Sequence, residues 1–245
     1  MTFNTDAIVL KIVKTGESDR LITFLTRDRG VIKAFAKAAD RPKNKLHMST
    51  NLFCYGNFTF YEGVKATKVE ECDLNETFFG LQSDIERLSL AQYFNELIIE
   101  TAPKETEANE YLRLLLNTLY FLAQGTKDMA VLKPVFELRL TAAIGYMPSL
   151  VACQQCGTFE TEPMYFSLST GELFCCDCAQ KNATRCPLEV ITAMRHIVFS
   201  ELNKLFTLQV SRENLPLLTS ICEKYLLLSV GKSFKTLDFY KAMLL

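Results

Sequence analysis

The sequence predicts an α+β protein, in which a small β-barrel at the amino end is followed by an all-α region. Two observations carry this prediction. Five β-patterned runs crowd into roughly the first 75 residues, and the apolar period changes to that of helices near residue 83. A third feature, a block of cysteines between residues 153 and 178, interrupts the helical half. With 245 residues, 49% of them apolar, 22% charged and only 10 Gly and 7 Pro, the chain is unlike collagen or disordered sequence and can bury sizeable cores.

Ala7 to Val13 and Arg20 to Thr26 are rich in Ile, Val, Leu, Phe and Thr. The turn Asp28-Arg29-Gly30 leads into Val31 to Phe35, where apolar and polar residues partly alternate. Leu52 to Tyr61 carries Phe53, Tyr55, Phe58 and Phe60, turns at Gly63, and returns through Thr67 to Leu74. Five short strands whose edges need protection suggest a closed or nearly closed barrel of the OB-fold type.

Beyond Ser83 the pattern is helical. Ser83-Asp84-Ile85-Glu86 reads as a capping box with Ser83 as the cap, and Ile85, Leu88, Ala91, Phe94, Leu97 and Ile98 share one face before Pro103. A second helix is predicted from about Thr106 to Ala123 and a third from Asp128 to Ile144, with Pro134 either starting or kinking it. Pro187 to Leu205, Asn214 to Val230 and Ser233 to Leu244 complete the helical set. The predicted organisation is a barrel domain over residues 1–80 and a helical domain over 81–245, with a cysteine-rich insertion at 150–186.

Met1 to Asp6 has neither a basic nor an apolar leader pattern, and Arg113 and Asn117 break the richest apolar stretch, so export and membrane insertion are not expected. Nine cysteines would be an odd total for a secreted disulfide framework, and they point to a reducing, cytoplasmic setting and to metal binding. The sharpest motif is Cys153-x2-Cys156, 18 intervening residues, then Cys175-x2-Cys178. Each pair can aim two thiolates at one ion, and zinc closes its tetrahedron with four. Zn2+ held by Cys153, Cys156, Cys175 and Cys178 in a structural role is therefore expected. Cys176 and Cys186 are possible substitutes, and a redox dithiol is the competing reading of a C-x-x-C pair.

The net charge of −1 hides an uneven distribution, since residues 1–45 carry ten Lys and Arg against five Asp and Glu. A balanced protein with one basic end can present a cationic face to a polyanion. Arg20, Lys33, Lys37, Arg41, Lys43 and Lys45 are the candidate phosphate contacts, with Phe35, Tyr55, Phe58, Phe60 and Tyr61 as candidate stacking residues. A charge run is also, commonly, just a solvated face. No P-loop, G-x-G-x-x-G, G-x-S-x-G or H-E-x-x-H motif occurs, and the two histidines, His47 and His196, have no motif partner, so no catalytic residue is assigned.

Gly16-Glu17-Ser18-Asp19-Arg20-Leu21-Ile22, Tyr93-Phe94-Asn95-Glu96-Leu97, Phe136-Glu137-Leu138-Arg139-Leu140, Gly145-Tyr146-Met147-Pro148, the cysteine block and Phe234-Lys235-Thr236-Leu237-Asp238-Phe239 together resemble, in order, the bacterial RecO recombination mediators. The resemblance implies an OB-fold domain, a helical domain and a zinc module. It also implies binding of single- and double-stranded DNA, strand annealing, and cooperation with RecR in loading RecA on DNA coated by single-stranded-DNA-binding protein (SSB). The acidic C-terminal tail of that coating protein would dock on the helical domain, with Arg139 as its bidentate receptor. The setting so implied is cytoplasmic and nucleoid-associated. The chain departs from the family pattern at Ala38 and Asp40, where Gly and a basic residue are usual, and at Asn44, where Ser is usual. These departures point to a loop whose affinity for DNA is reduced or shared. The alternative from a different class is a non-catalytic protein–protein adaptor with a structural zinc and no DNA binding.

Overall fold

The computed structural model describes residues 1–244 and is α+β. Strands β1 (Thr2–Thr15), β2 (Asp19–Thr26), β3 (Gly30–Ala36), β4 (Tyr55–Glu62) and β5 (Thr67–Glu76) close into a barrel in the order β1-β2-β3-β5-β4. All pairings are antiparallel except β3 with β5, and β4 closes on β1, so the ring has no free edge. Alternation decides the contents. Val9, Ile22, Phe24, Ala34, Ala36, Phe58, Phe60 and Val69 point inward, with Phe24 edge-on to Phe58 and Phe60 at 4.9 and 5.2 Å. The register of β1 against β2 shifts between Val9 and Lys11, a bulge that bends the strand. The side-chain amide of Asn95 meets that bulge by donating to the Leu10 carbonyl at 3.0 Å.

A short 3-10 turn at Phe79–Ser83 leads to α1 (Ile85–Thr101) and α2 (Asn109–Gln124). The cap of α1 is Asp84 and not the expected Ser83. Asp84 is extended and its Oδ1 accepts from the amides of Glu86 and Arg87, while Ser83 is held in the preceding turn, donating to the Gly80 carbonyl. The last helix, α7 (Lys235–Met243), packs on α1, so residues 1–124 and 234–244 belong to one compact unit. Glu96 of α1 secures its start by accepting from both the amide and the hydroxyl of Thr236. Glu96→Ala should cost about 1–2 kcal/mol and raise amide exchange in α7. Unchanged exchange there would refute that role.

The second unit, residues 125–233, holds α3 (Met129–Ala143), a three-stranded sheet of β6 (Met164–Phe166), β7 (Leu173–Phe174) and β8 (Thr184–Cys186), and α4 (Leu188–Phe199), α5 (Leu202–Leu205) and α6 (Leu215–Val230). The expected helix over 187–205 is two helices, broken at the extended Ser200. Pro134 lies within α3; the Ala130 carbonyl it leaves unbonded accepts from the Thr219 hydroxyl of α6 at 3.4 Å. Lys133 on α3 is buried between Glu137 and Glu223, at 2.7 and 2.8 Å. None of the described helices is long and apolar enough to cross a membrane.

Candidate nucleic-acid interface and metal centre

One end of the barrel is closed by the loop of residues 37–54, whose Ala39, Leu46 and Cys54 join the barrel core. Arg20 holds the loop. It shares the inward parity of Ile22 and Phe24 on β2, lies at the barrel mouth and is only 6% exposed. Its guanidinium donates to Asp40 Oδ1 at 2.9 and 2.8 Å, to Thr50 Oγ1 at 3.0 Å, to Asn51 Oδ1 at 3.1 Å and to the His47 carbonyl at 3.3 Å. The charge expected at the surface is thus turned inward and bonded along the loop. Lys14 reaches the other oxygen of Asp40 at 2.9 Å, and these two cations hold the Asp40 carboxyl below its ordinary value, Lys14 having the larger effect.

The three departures from the family pattern have separate roles in this loop. Ala38 sits at φ 54, a left-handed conformation that glycine adopts without strain. Asp40 is the partner of Arg20 and Lys14. Asn44 staples the loop by accepting the Leu46 amide at 2.8 Å and donating to the Lys37 carbonyl at 3.1 Å.

The other candidate cations are exposed. Lys45 pairs with Glu71 at 2.6 Å, which lowers the Glu71 pKa. Lys33, Lys37, Arg41 and Lys43 have no ion pair among the described residues. Lys14, Arg27 and Arg29, from the same basic stretch, are paired with acids at 2.9, 2.7 and 3.2 Å. The cationic field is therefore smaller than the charge count suggests and concentrates on the loop and β3.

Phe58 and Phe60 are fully buried and unavailable for stacking. Phe35 and Tyr61 lie on the outer face, each in register with Lys68 of β5. Lys33 shares their parity, so two cations and two aromatic rings share one side of β3-β5-β4. Lys68 was legible in the alternation around the inward Val69 but falls outside the basic amino-terminal stretch.

The candidate metal site is built by two tight turns. In the first, the Gly157 amide donates to the Cys153 carbonyl at 2.9 Å and the Gln154 amide to the Leu173 carbonyl at 2.8 Å. In the second, Cys176–Cys178 forms a 3-10 turn, with the Cys178 amide donating to the Cys175 carbonyl at 3.2 Å. Together they bring the sulfur atoms of Cys153, Cys156, Cys175 and Cys178 within 4.8 Å of one another, with 3.6 Å between those of Cys156 and Cys175. A tetrahedron with metal–sulfur bonds of ~2.3 Å has edges of ~3.8 Å, so the four thiols fit such an ion. Burial raises the Cys153 pKa, but backbone amides of Cys156, Cys175 and Gln155 outweigh it and bring the value to about 6.

Cys176 is exposed and outside the cluster, and Cys186 is buried in β8. Gly171, in the hairpin between the pairs, has φ +70, and a Cβ there would lie 2.3 Å from the Tyr225 hydroxyl. Arg195 of α4 clamps the first turn, donating to the carbonyls of Leu150, Val151 and Phe159 and pairing with Glu160 at 2.6 Å.

Arg139 of α3 closes the end of α4, its Nη1 donating to the carbonyls of Ile197, Val198 and Ser200 at 3.4, 2.6 and 3.2 Å. His47 Nδ1 lies 2.9 Å from the Ala39 carbonyl and His196 Nε2 lies 3.0 Å from the Lys204 carbonyl, so both rings are engaged with backbone.

Fold and site define a two-part α+β protein, with an OB-like barrel bearing a cationic loop and a helical unit carrying a cluster of four thiols that can hold a metal ion. The family model for the Recombination protein O N terminal matches residues 1–78, and that for the Recombination protein O C terminal matches residues 82–238. A DNA repair protein RecO of Acetivibrio thermocellus is 34% identical over 241 residues, covering 98% of this chain and 96% of that protein. Those of Pelotomaculum thermopropionicum and Caldicellulosiruptor saccharolyticus are 32% and 27% identical, covering 97% and 96% of this chain and 93% and 96% of their own. The chain belongs to the RecO family of DNA repair proteins. The family models divide it near residue 80, whereas its compact units divide at 124 and 125, because α1, α2 and α7 belong with the barrel.

Proposed function

We propose that this protein is a non-enzymatic recombination mediator that binds single- and double-stranded DNA and anneals complementary strands. The observation that carries this reading is the set of exposed cations without acidic partners among the described residues, Lys33, Lys37, Arg41 and Lys43, with Lys45 and Lys68 beside them and Phe35 and Tyr61 on the adjoining barrel face. Phosphates that displace condensed counterions bind such a surface with little sequence preference. Annealing requires no bond making: two strands held on one cationic surface repel each other less and meet at a higher local concentration. Arg20 contributes by holding the loop in place.

The family relationship supports cooperation with RecR in loading RecA on DNA coated by SSB, in a cytoplasmic, nucleoid-associated setting. Arg139, at the end of α4, is the proposed receptor for the tail of that coating protein. Zn2+ is the proposed ion of the four-thiol centre, where it would fix the two turns with no position left for water.

The test is the binding of a fluorescent single strand across a salt series. Lys37→Ala, Arg41→Ala and Lys43→Ala combined should weaken binding at low salt by about tenfold or more and reduce the log–log salt slope by roughly 2. An unchanged slope would remove the loop from the interface. Absence of any binding at low salt would favour the adaptor reading, to which the acid-paired Lys14, Arg27 and Arg29 lend support.

A further inference from the structure

A second feature of the barrel unit lies along β3 from the loop. A cleft of about 890 Å³ opens beside the β2–β3 turn, lined by Phe3, Arg29, Lys33, Glu62, Lys104 and Glu105 among others. Its far wall is the connection between α1 and α2, pinned to the turn by three backbone bonds. The Val31 amide donates to the Pro103 carbonyl at 2.9 Å, that of Glu105 to Arg29 at 3.0 Å and that of Ala108 to Arg27 at 2.7 Å. Gly30 permits this approach, since a Cβ there would lie 2.0 Å from the Pro103 oxygen. Glu105 is held at φ 64, a strained conformation for a non-glycine residue that survives only where its surroundings over-determine it.

Inside the cleft the Arg29 guanidinium lies over the Phe3 ring, 3.6 Å from its centroid, and is kept there by Glu62 at 3.2 Å. One face of the planar cation is covered by Phe3, and the side chain, a third exposed, lines the cleft. Arg29 and Glu62 cancel in charge, and Asp28 is taken up by Arg27 and the Thr5 hydroxyl. Lys33 and Lys104 are exposed at its margins without ion pairs among the described residues, while Glu105 adds one carboxylate acceptor. A flat cationic platform flanked by two ammonium groups matches an unpaired base attached to its phosphates.

We infer that this cleft binds an unpaired nucleobase of a single strand, stacked on Arg29, with neighbouring phosphates on Lys33 and Lys104. The inference rests on the DNA-binding reading above and extends it: the strand that crosses the 37–45 loop continues along β3 and is gripped through a base. This would give unpaired DNA an advantage that a purely phosphate-binding surface cannot supply.

The test compares a labelled oligo-dT with an abasic strand of equal length on the full-length protein, by anisotropy at low salt. The wild-type protein should prefer the strand with bases by roughly fivefold or more. Arg29→Lys keeps the charge but loses the plane, and should bring that preference close to one. Lys104→Ala, at an exposed side chain, should weaken both strands alike and lower the salt slope by about 0.7. A preference that persists in Arg29→Lys, or none in the wild type, overturns the base site and leaves loop binding intact. Failure of both strands to bind the wild type overturns the base site and the DNA-binding reading together. Thymidine 5′-monophosphate distinguishes the source of the base: competition only at millimolar concentration supports a strand, whereas micromolar competition would overturn it in favour of a free nucleotide.

Discussion

Cys156→Ser and Cys178→Ser should each release the metal and destabilise the 125–233 unit by about 3 kcal/mol or more, because ligand binding there is coupled to folding. Apart from the Arg195 clamp and the buried side chains of the small sheet, the turns that carry the cysteines have little to order them. Strands β6, β7 and β8 have three, two and three residues, and most of residues 154–162 are exposed. The exposed 154–162 stretch buries too little apolar surface of its own to offset the conformational entropy lost on ordering it. Four thiolates on one ion would join the two turns across the hairpin and supply the missing term. Metal content and thermal unfolding read the effect directly, and a chelator should reproduce it. Cys176→Ser is the control and should retain the metal, since that side chain is outside the cluster. Full metal content and unchanged melting in both ligand variants would show that the centre is built otherwise.

Arg20→Ala should destabilise the barrel unit by about 3 kcal/mol, because the buried Thr50 hydroxyl and the part-buried acceptors on Asn51 and the His47 carbonyl would lose their donor. The loop would lose its anchor at the same time, so DNA affinity should fall although Arg20 itself does not face solvent. Thermal melting measures the first effect, and amide exchange across 37–54 measures the second. Unchanged melting would mean that the barrel mouth closes without it. Acid should act on the same contact. The Asp40 pKa is depressed below its ordinary 3.8 in the folded protein, so its contribution is complete above that value and is lost as pH falls through the lower, folded value. Asp40→Asn should remove this part of the acid sensitivity.

The family-like segments in the helical half have concrete work in the fold. In Tyr93-Phe94-Asn95-Glu96-Leu97, Asn95 serves the β1 bulge and Glu96 holds Thr236 of the Phe234 to Phe239 segment. In Phe136 to Leu140, Glu137 pairs with the buried Lys133, and Arg139 closes α4. Glu96 and Arg139 are thus charged joints between elements distant along the chain. Neither joint has a local signature, because partners 140 or about 60 residues away are set by packing and not by periodicity.

The sequence by itself determined the α+β class, the five strands, most of the helices and the four thiols. Each of these depends on short-range chemistry: alternation along a strand, apolar spacing along a helix, two cysteines across one tight turn. Only the tertiary structure decided which charges face solvent. Barrel closure turned Arg20 inward with Ile22 and Phe24, matched Lys45 to Glu71, and left Lys33, Lys37, Arg41 and Lys43 without acidic partners. It also set Lys68 beside Phe35 and Tyr61. A charge count is a property of composition, whereas the field it produces depends on which strands become neighbours, and that is settled only when the sheet closes.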